Sequence, residues 1–250
     1  MVNSAVSVII PTYNRAPTIA RAVVSALNQC EAKDEVIVID DGSTDDTEQA
    51  LRFLMGKIKY HRVQNGGVGY ARNIGLEIAR NELIAFCDSD DEWISGKLSL
   101  QRSLLDAVPE LAYCFSDLIE IYQEGRERRR ALAYYYGVEN LSERFIGSTV
   151  PLSTVIEPAE EWKGVSLHIG DLYLAQLNTI CVQVNTTLLR RSSLDGHIRF
   201  AEDLTYHEDW EFFSRISRQQ PVAFLNCETA KLYHHNLHQL TKTTMINIYI

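Results

Sequence analysis

Short apolar runs alternate with helical patterns through the first 110 residues of this 250-residue chain. Strands that alternate with helices of about a dozen residues predict a parallel sheet built from right-handed strand–helix–strand units. The expected fold class is therefore α/β, with a mostly parallel sheet flanked by helices. The apolar runs occupy residues 6–10, 36–39, 58–63 and 83–87.

Polar residues follow three of these predicted strands. The carboxyl ends of parallel strands meet at one edge of a sheet, and open α/β sheets bind their ligands at that edge. The sequence therefore predicts a single binding edge to which three loops contribute. Its polar residues are Thr12 and Tyr13 after the first strand, Asp40 and Asp41 after the second, and Asp88, Asp90 and Asp91 after the fourth.

The loop after the fourth strand gathers Asp88, Asp90 and Asp91 although their charges repel one another. A divalent cation bound to a diphosphate would explain the cluster, because Mg²⁺ and Mn²⁺ take carboxylate and phosphate oxygens as ligands. A solvated acidic turn before a helix explains the same residues, since acids are favourable near a helix N-terminus. Both interpretations stand at this point.

A dinucleotide-binding enzyme is a rival interpretation, because an acid after the second strand of such a fold binds a ribose. Residues 11–15, which follow the first strand, contain no glycine. They therefore lack the Gly-x-Gly-x-x-Gly turn that admits a pyrophosphate, and a P-loop is also absent. The pattern favours a nucleotide that is held through a metal-bound diphosphate.

Charge and cysteine content exclude several classes of protein. The net charge of −9 argues against nucleic acid as a partner, because phosphate contacts need a basic face. The five cysteines are odd in number and mostly lie in apolar runs, which indicates buried thiols in a reducing compartment. No apolar run approaches the roughly 20 residues that span a bilayer, and no secretion signal is found. We expect a cytoplasmic protein and leave peripheral attachment to the inner face of a membrane open.

The second half of the sequence is less regular. We predict a strand over residues 111–122, either continuous or broken near Ser116. A loop-rich region with short helices is expected over residues 134–174. Further strands are predicted over residues 181–189, 222–225 and 231–234, and a helix over residues 209–217.

Three segments together resemble the signatures of the family 2 glycosyltransferases, which are inverting enzymes with a GT-A fold. They are residues 8–15 (VIIPTYNR), 38–45 (VIDDGSTD) and 88–91 (DSDD). The resemblance covers about the first 110 residues. It extends more weakly to residues 207–210 (HEDW), which resemble the Glu-Asp pair that opens a late helix in that family. A GT-A domain with a Rossmann-like sheet is the fold that this resemblance implies.

The resemblance also implies roles for individual residues. It implies that Asp209, with Glu208 beside it, provides the general base, and that Mn²⁺ or Mg²⁺ is the cofactor. Asp90 would bind the metal, with Asp91 as a second ligand or sugar contact and with one late histidine, His234 by our choice, joining the metal or diphosphate. The residues expected to bind the nucleotide are Pro11, Thr12, Tyr13, Asp40, Asp41, Arg72, Asp88 and Ser89.

The spacing around Asp209 agrees with a catalytic role. Asp209, Phe212, Phe213 and Ile216 fall on one helical face, so the carboxylate shares the apolar face in the first turn. Partial burial there would raise its pKa, while the helix N-terminus would lower it. An acid that only stabilises the start of a helix gives the same pattern.

The resemblance implies transfer of one sugar from a nucleotide-diphosphate sugar, with a UDP-sugar favoured, to an acceptor hydroxyl with inversion. The acceptor would be a carbohydrate or lipid-linked, as in the synthesis of bacterial cell-surface polysaccharide or glycoconjugates. Residues 1–110 would bind the donor and residues 111–250 the acceptor, within one domain. Two rivals stay open: a sugar-1-phosphate nucleotidyltransferase and a non-catalytic nucleotide-sugar-binding protein.

Overall fold

The structure is a computed structural model that describes residues 3–135 and 141–235. Within these residues the chain forms one mixed sheet, seven helices and several single 3₁₀ turns. The strands are β1 (Val6–Thr12), β2 (Glu35–Asp40), β3 (Lys59–Arg62), β4 (Leu83–Phe86), β5 (Glu92–Trp93), β6 (Tyr113–Ile121), β7 (Glu127–Arg128), β8 (Ile146–Pro151), β9 (Ser166–Asp171), β10 (Leu188–Arg190) and β11 (Val222–Tyr233). The helices are α1 (Ile19–Leu27), α2 (Thr47–Ala50), α3 (Val68–Ile78), α4 (Lys97–Ala107), α5 (Ala131–Tyr135), α6 (Tyr173–Asn178) and α7 (Glu208–Ser217).

The sheet has the order β3-β2-β1-β4-β10-β6-β11-β9-β8, with β5 paired to β11 and β7 paired to β6. Strands β3, β2, β1 and β4 are parallel to one another, as are β6 and β11. Strand β10 joins the two groups by antiparallel pairing with β4 and β6. The α/β class and the central, mostly parallel sheet predicted from the sequence are confirmed.

Buried apolar side chains cover both faces of the sheet. Every residue of β1 is buried, as a central strand with helices on both sides requires. On one face α3 lies so close that a Cβ on Gly75 would be 2.4 Å from Cγ2 of Ile9. Glycine at this position therefore sets how near α3, which carries Arg72, can pack to β1.

Strand β1 is longer than predicted, because it continues through Pro11 to Thr12. Pro11 lies opposite Ile39 of β2, but the pairing of β1 with β4 ends at Ile9 and Phe86. A proline is tolerated where no ladder hydrogen bond is required of its nitrogen. Thr12 is therefore the last residue of the first strand, paired with Asp40 of β2, rather than a loop residue.

Three predictions for the second half were wrong or incomplete. Residues 181–189 do not form one strand, because Val184–Thr186 is a 3₁₀ turn and only Leu188–Arg190 pairs in the sheet. The two short strands expected near the end are one strand, Val222–Tyr233, with irregular register between Leu225 and Ala230. The region predicted to be loops contains β8 and β9. Strand β6 is continuous through Ser116.

The sheet runs through both of the predicted halves of the chain. Strand β10 lies between β4 and β6, and β5 pairs with β11. Aromatic packing also joins the halves, since the rings of Phe86 and Phe200 are 5.3 Å apart and Phe200 stacks on Phe212 at 3.9 Å. The division into donor and acceptor halves stays a prediction. Within the described residues, no helix is long and apolar enough to cross a bilayer.

Candidate active site

The loops that follow β1 and β2 are fastened to each other at one edge of the sheet. The amide of Asp41 donates to the carbonyl oxygen of Thr12 at 2.9 Å. Asn14, in the left-handed region with φ of 52°, accepts the Thr44 amide on Oδ1 at 2.8 Å and donates its own amide to Ser43 Oγ. Asparagine tolerates this backbone conformation better than most residues do. The two loops therefore form one rigid rim.

Asp40 and Asp41 were predicted to contact the nucleotide, but their carboxylates are bonded to the protein. Asp40 is buried and accepts the Ser43 amide at 2.7 Å and the Tyr60 hydroxyl. Asp41 accepts the amides of Gly66 and Gly67, each at 2.8 Å. Burial raises the pKa of Asp41 despite these two backbone hydrogen bonds. In the structure both acids hold loops in place, and a contact with a nucleotide stays a prediction.

Other predicted nucleotide-binding residues differ in exposure. Pro11 and Ser89 are buried, whereas the ring of Tyr13 is 45% exposed at the rim. Thr12 is almost fully buried, and its Oγ1 has no hydrogen-bond partner among the described residues. A buried hydroxyl without a partner is costly. A ligand at this edge that accepts or donates a hydrogen bond would therefore find a partner in Thr12.

The three aspartates of the acidic loop face different surroundings. Asp88 contacts Arg72, at 3.0 Å from NH2 to Oδ1, and burial raises its pKa. Asp90 Oδ2 lies 2.9 Å from His235 Nε2 and 3.3 Å from Arg15 Nε. Burial alone would raise the pKa of Asp90, but these two contacts outweigh it and hold the pKa below its usual value. Asp90 is thus the loop carboxylate that is kept charged.

Asp91 points into the protein, which does not favour its predicted role as a metal ligand. Its Oδ2 accepts from Asn185 Nδ2 at 2.9 Å, and its Oδ1 accepts the Tyr233 amide at 3.0 Å. Burial raises the pKa of Asp91 well above its usual value, and the charges of Asp90 and Asp88 add to this effect. Desolvation disfavours the charged form that would bind a cation. Asp91 instead ties the acidic loop to Asn185 and to β11.

The guanidinium of Arg72 lies between the acidic loop and the start of α7. It contacts Asp88 on one side and Glu208 on the other, at 2.5 Å from NH1 to Oε1. Arg72 and Glu208 are both buried. This buried salt bridge joins the two parts of the site. The predicted roles of Arg72 in binding the nucleotide and of Glu208 in catalysis stay predictions.

Asp209 differs from its neighbour Glu208. It is only partly buried, at the first turn of α7, and its Oδ1 accepts the amide of Trp210 at 2.8 Å. Burial and then the charge of Glu208 raise the pKa of Asp209 to about 7, against the opposing effect of Arg72. A carboxyl group with this pKa can exchange a proton at neutral pH. Asp209 has the properties expected of a general base.

The structure places a different histidine beside Asp90 than the one predicted. His234 Nε2 lies 2.7 Å from Oε1 of Glu120, and its ring stacks on Tyr122. His235 is the residue that contacts Asp90. Adjacent residues of an extended chain point to opposite sides, so only one of the two can face the acidic loop. His238, a further candidate, lies outside the described residues.

Asp90 and His235 fit a divalent metal. Carboxylate oxygen and imidazole nitrogen are ligands that Mn²⁺ accepts. Two neighbouring ligand atoms that each lie about 2.1 Å from one ion are separated by a distance similar to the 2.9 Å between Asp90 Oδ2 and His235 Nε2. Within the described residues no group of three or more histidine, cysteine, aspartate or glutamate side chains converges to hold an ion alone. Phosphate oxygens or water would have to complete the coordination.

Several residues of the site were missed by sequence reasoning. Asn185 holds Asp91, and Arg21 donates to the carbonyl oxygen of Asp90 while its guanidinium lies 3.7 Å from the ring centre of Tyr233. Arg15 lies in a segment that the sequence singled out, but its contact with Asp90 was not predicted. No local pattern indicates Arg21 or Asn185, because the contacts join segments far apart in the chain.

Comparison with known proteins agrees with this geometry. The family model described as Glycosyl transferase family 2 matches residues 7–195, which is more than half of the chain. The chain belongs to glycosyl transferase family 2. The matched segment includes all of β1 but its first residue, together with β4 and the acidic loop, so the resemblance seen in the sequence is confirmed.

Two curated relatives from Escherichia coli are similar to part of the chain. One, the UDP-Glc:alpha-D-GlcNAc-diphosphoundecaprenol beta-1,3-glucosyltransferase WfgD, is 42% identical over 103 residues, which is 40% of this chain and 40% of that protein. The other, WfaP, carries the same description and is 44% identical over 107 residues, which is 40% of this chain and 41% of that protein. The chain spans less than half the length of the curated relatives it matches.

Among solved structures, TarS residues 1–349 of S. aureus in complex with UDP-GlcNAc resembles the whole chain. The TM-score is 0.68 with 22% sequence identity, and the match covers 94% of this chain and 60% of that one. At this identity the likeness concerns the fold alone. It confirms the predicted GT-A fold.

Proposed function

We propose that this glycosyl transferase family 2 chain transfers one sugar from a UDP-sugar to an acceptor hydroxyl with inversion of configuration. The observation that carries the proposal is Asp209: a partly exposed carboxyl with a pKa of about 7, joined through Glu208 and Arg72 to the acidic loop. The donor would lie along the edge formed by the loops after β1, β2 and β4. The acceptor would approach from the side of α7.

Asp209 would remove the proton from the acceptor hydroxyl as that oxygen attacks the anomeric carbon. The bond from this carbon to the diphosphate breaks in the same step, so a single displacement inverts the configuration. The pKa of Asp209 suits a general base, because a base with a pKa near the working pH is half deprotonated yet still accepts a proton readily. Glu208, bonded to Arg72, would orient the first turn of α7.

The leaving nucleoside diphosphate carries negative charge that the site must stabilise. Asp90 and His235 would hold Mn²⁺ or Mg²⁺ beside the diphosphate, and such an ion supplies positive charge to the departing oxygens. Arg15, 3.3 Å from Asp90, would add a second positive group. The aromatic ring of Tyr13, exposed at the rim, is placed to stack on a base.

The relatives support particular substrates. WfgD and WfaP are described as transferring from UDP-Glc to a GlcNAc-diphosphoundecaprenol acceptor, and TarS binds UDP-GlcNAc in its crystal. We therefore propose a UDP-sugar as donor and a lipid-linked or carbohydrate acceptor in the synthesis of a cell-surface glycoconjugate. This acceptor is the reason to propose that the protein works at the inner face of a membrane.

The two rival functions account for fewer of the observations. A sugar-1-phosphate nucleotidyltransferase would need a Gly-rich basic loop after β1, where the chain has Thr12, Tyr13 and Asn14. A non-catalytic nucleotide-sugar-binding protein would have no use for a carboxyl group such as Asp209, which keeps a raised pKa at a helix start. Both rivals predict that the unmodified protein transfers no sugar to an acceptor hydroxyl.

Calorimetric titration with UDP, GDP and dTDP, each with and without Mn²⁺, tests the donor site. We expect UDP to bind most tightly, and only with Mn²⁺. The variant Asp90→Ala should lose the metal-dependent part of the affinity. Equal and metal-independent affinity for the three nucleotides would contradict the proposed donor site.

The variant Asp209→Asn tests the reaction. We expect sugar transfer to fall by about 10²- to 10⁴-fold, the usual contribution of a general base, while the affinity for UDP with Mn²⁺ stays unchanged. Glu211→Gln is the matched control, because Glu211 lies in the same first turn and is paired with Arg215 at the surface. Retained transfer in Asp209→Asn would refute the role of Asp209.

A further inference from the structure

The buried carboxylate of Glu120, on β6, is the centre of a polar cluster that the proposed mechanism does not use. Glu120 is 1% exposed. Its Oε2 accepts from the Tyr122 hydroxyl at 3.0 Å and from Arg128 NH1 at 3.1 Å, and its Oε1 accepts from the Tyr135 hydroxyl and from His234 Nε2. These four donors, counted among the described residues, fill the acceptor sites that a carboxylate offers.

The donors come from three separate segments of the chain. Tyr122 and Arg128 belong to the hairpin of β6 and β7, Tyr135 ends α5, and His234 follows β11. His234 is held by more than its side chain, because its amide donates to the carbonyl oxygen of Ile121 at 2.8 Å and its ring stacks on Tyr122 with centres 4.5 Å apart. Glu120 thus fixes the chain immediately after β11.

The next residue along the chain is the one that faces the acidic loop. His235 Nε2 lies 2.9 Å from Oδ2 of Asp90, whereas His234 Nε2 contacts Glu120. Two residues before His235, the amide of Tyr233 donates to Asp91 at 3.0 Å. A shift or rotation of this segment would move His234 from Glu120 and His235 from Asp90 together, because neighbouring side chains of an extended segment alternate in direction.

We propose that Glu120 is a positioning residue for the donor site: by binding His234, it holds His235 against Asp90. The cluster connects the hairpin of β6 and β7 and the end of α5, both from the second half of the chain, to the acidic loop of the first half. The effect on the donor rests on the proposed function, whereas the effect on His235 does not.

Glu120→Gln tests the proposal, with Glu124→Gln as matched control. Glu124 undergoes the same change of charge in the same hairpin, but it is exposed, and its hydrogen bond and ion pair are with Arg126. Two quantities are measured in both variants and in the unmodified protein. The first is the nuclear Overhauser effect between the ring protons of His235 and the Hβ protons of Asp90, without nucleotide. The second is the Kd for UDP in the presence of Mn²⁺.

In Glu120→Gln we expect the His235–Asp90 effect to disappear and the Kd to rise by about tenfold, the lower end of what loss of a residue that orients a metal ligand costs. Glu124→Gln should change neither. The proposal would be overturned if the His235–Asp90 Overhauser effect were retained in Glu120→Gln. It would also be overturned if that Overhauser effect were lost while the Kd stayed unchanged. A merely structural role would lower the melting temperature without changing the Kd of the folded protein.

A second variant covers the case in which Glu120→Gln does not fold. Tyr135→Phe removes one donor to Glu120 and keeps the carboxylate. We expect a weaker His235–Asp90 effect and a Kd raised by a smaller factor, and an unchanged pair of values would overturn the proposal. If the unmodified protein binds no nucleotide with Mn²⁺, the proposed function fails, and the magnetic resonance comparison still decides whether Glu120 positions His235.

Discussion

At the scale of single residues, two adjacent acids of α7 have opposite surroundings. Glu208 is buried and bonded to Arg72, while Asp209 is partly exposed and has a pKa of about 7. Successive residues of a helix point about 100° apart, so one turn can offer one side chain to the interior and the next to the cleft. The charge of Glu208 then helps to raise the pKa of Asp209. In the proposed function, only the second acid of this pair meets the acceptor.

The pKa of Asp209 predicts how sugar transfer depends on pH. The base works in its deprotonated form, so kcat should fall about tenfold for each pH unit below about 7 and level off above it. Glu211→Gln should leave this profile in place, because Glu211 is paired at the surface. The measurement is kcat between pH 5 and 9 at saturating donor. A flat profile across pH 7 would contradict the assignment of Asp209.

The same pKa predicts that the ionised carboxylate of Asp209 lowers the stability of the fold at high pH. The folded state binds the proton of Asp209 more tightly than the unfolded chain, so this group stabilises the fold below about pH 4. That contribution is lost as the pH rises to about 7. Asp209→Asn removes a carboxylate whose charged form is disfavoured, and each pKa unit corresponds to about 1.4 kcal/mol. We expect the free energy of unfolding of the variant, measured by urea denaturation, to be about 2 kcal/mol higher than that of the unmodified protein at pH 8. At pH 4 we expect no increase. A loss of stability at pH 8 would contradict the burial of this charge.

At the scale of elements, the first half of the fold could be predicted because its strands are simple. In β1, β2 and β4 a run of apolar residues is buried on both faces and ends in polar residues. The topology of parallel strands then brings the loops together whatever their detailed contacts. The edge and the acidic loop can therefore be predicted from the sequence alone.

The strand predictions for the second half were wrong where side-chain hydrogen bonds take the place of backbone pairing between strands. Residues 181–189 alternate in polarity, yet Thr186 and Thr187 donate through their hydroxyls to the carbonyl oxygens of Gln183 and Val184. Such local hydrogen bonds favour turns over strands. Strand β8 was missed for another reason: it is an exposed edge strand without an apolar face. Neither the threonine hydrogen bonds nor the exposure of β8 can be recognised from the hydrophobic periodicity of the sequence.

The site was predicted only in part for a similar reason. Residue types at strand ends located Asp88 and Asp90, and the family resemblance located Asp209, but which acid is paired depends on contacts across the chain. Arg72 meets Glu208, which is 136 positions away, and Asn185 meets Asp91 across 94. No spacing along the sequence encodes such distances. Only the packing of α3, α7 and the 3₁₀ turn at Asn185 determines them.

The salt bridge between α3 and α7 yields a prediction for stability. Arg72→Met should lower the free energy of unfolding by about 3 to 5 kcal/mol, because it leaves the buried carboxylate of Glu208 and the partly buried carboxylate of Asp88 without a counter-charge. Arg199→Met is the control: Arg199 pairs with Glu77 at the surface, and exposed pairs contribute about 0 to 1 kcal/mol. Urea denaturation measures both. Similar small losses in the two variants would mean that water or rearrangement neutralises the pair.

At the scale of the whole molecule, the donor edge and the candidate base belong to one sheet and one core. The donor loops follow β1, β2 and β4, while Asp209 opens α7, whose Phe212 packs on Phe86 of β4 with ring centres 6.4 Å apart. The Arg72 salt bridge and the His235–Asp90 contact cross between the same halves. The two predicted halves therefore share their packing as well as their site, and neither has a closed core alone.

This sharing predicts that residues 1–110 do not fold by themselves. Removing residues 111–250 would expose the edge of β4 that pairs with β10 and the ring of Phe86, which is fully buried in the whole chain. An unpaired apolar edge strand aggregates rather than standing alone in water. We expect the fragment to lack a cooperative melting transition in circular dichroism. Mixing it with residues 111–250 should restore the transition, whereas the uncut chain should unfold in one step. Cooperative melting of residues 1–110 alone would instead make the donor half an independent domain, and the contacts of Arg72 and His235 would then be docking contacts between domains.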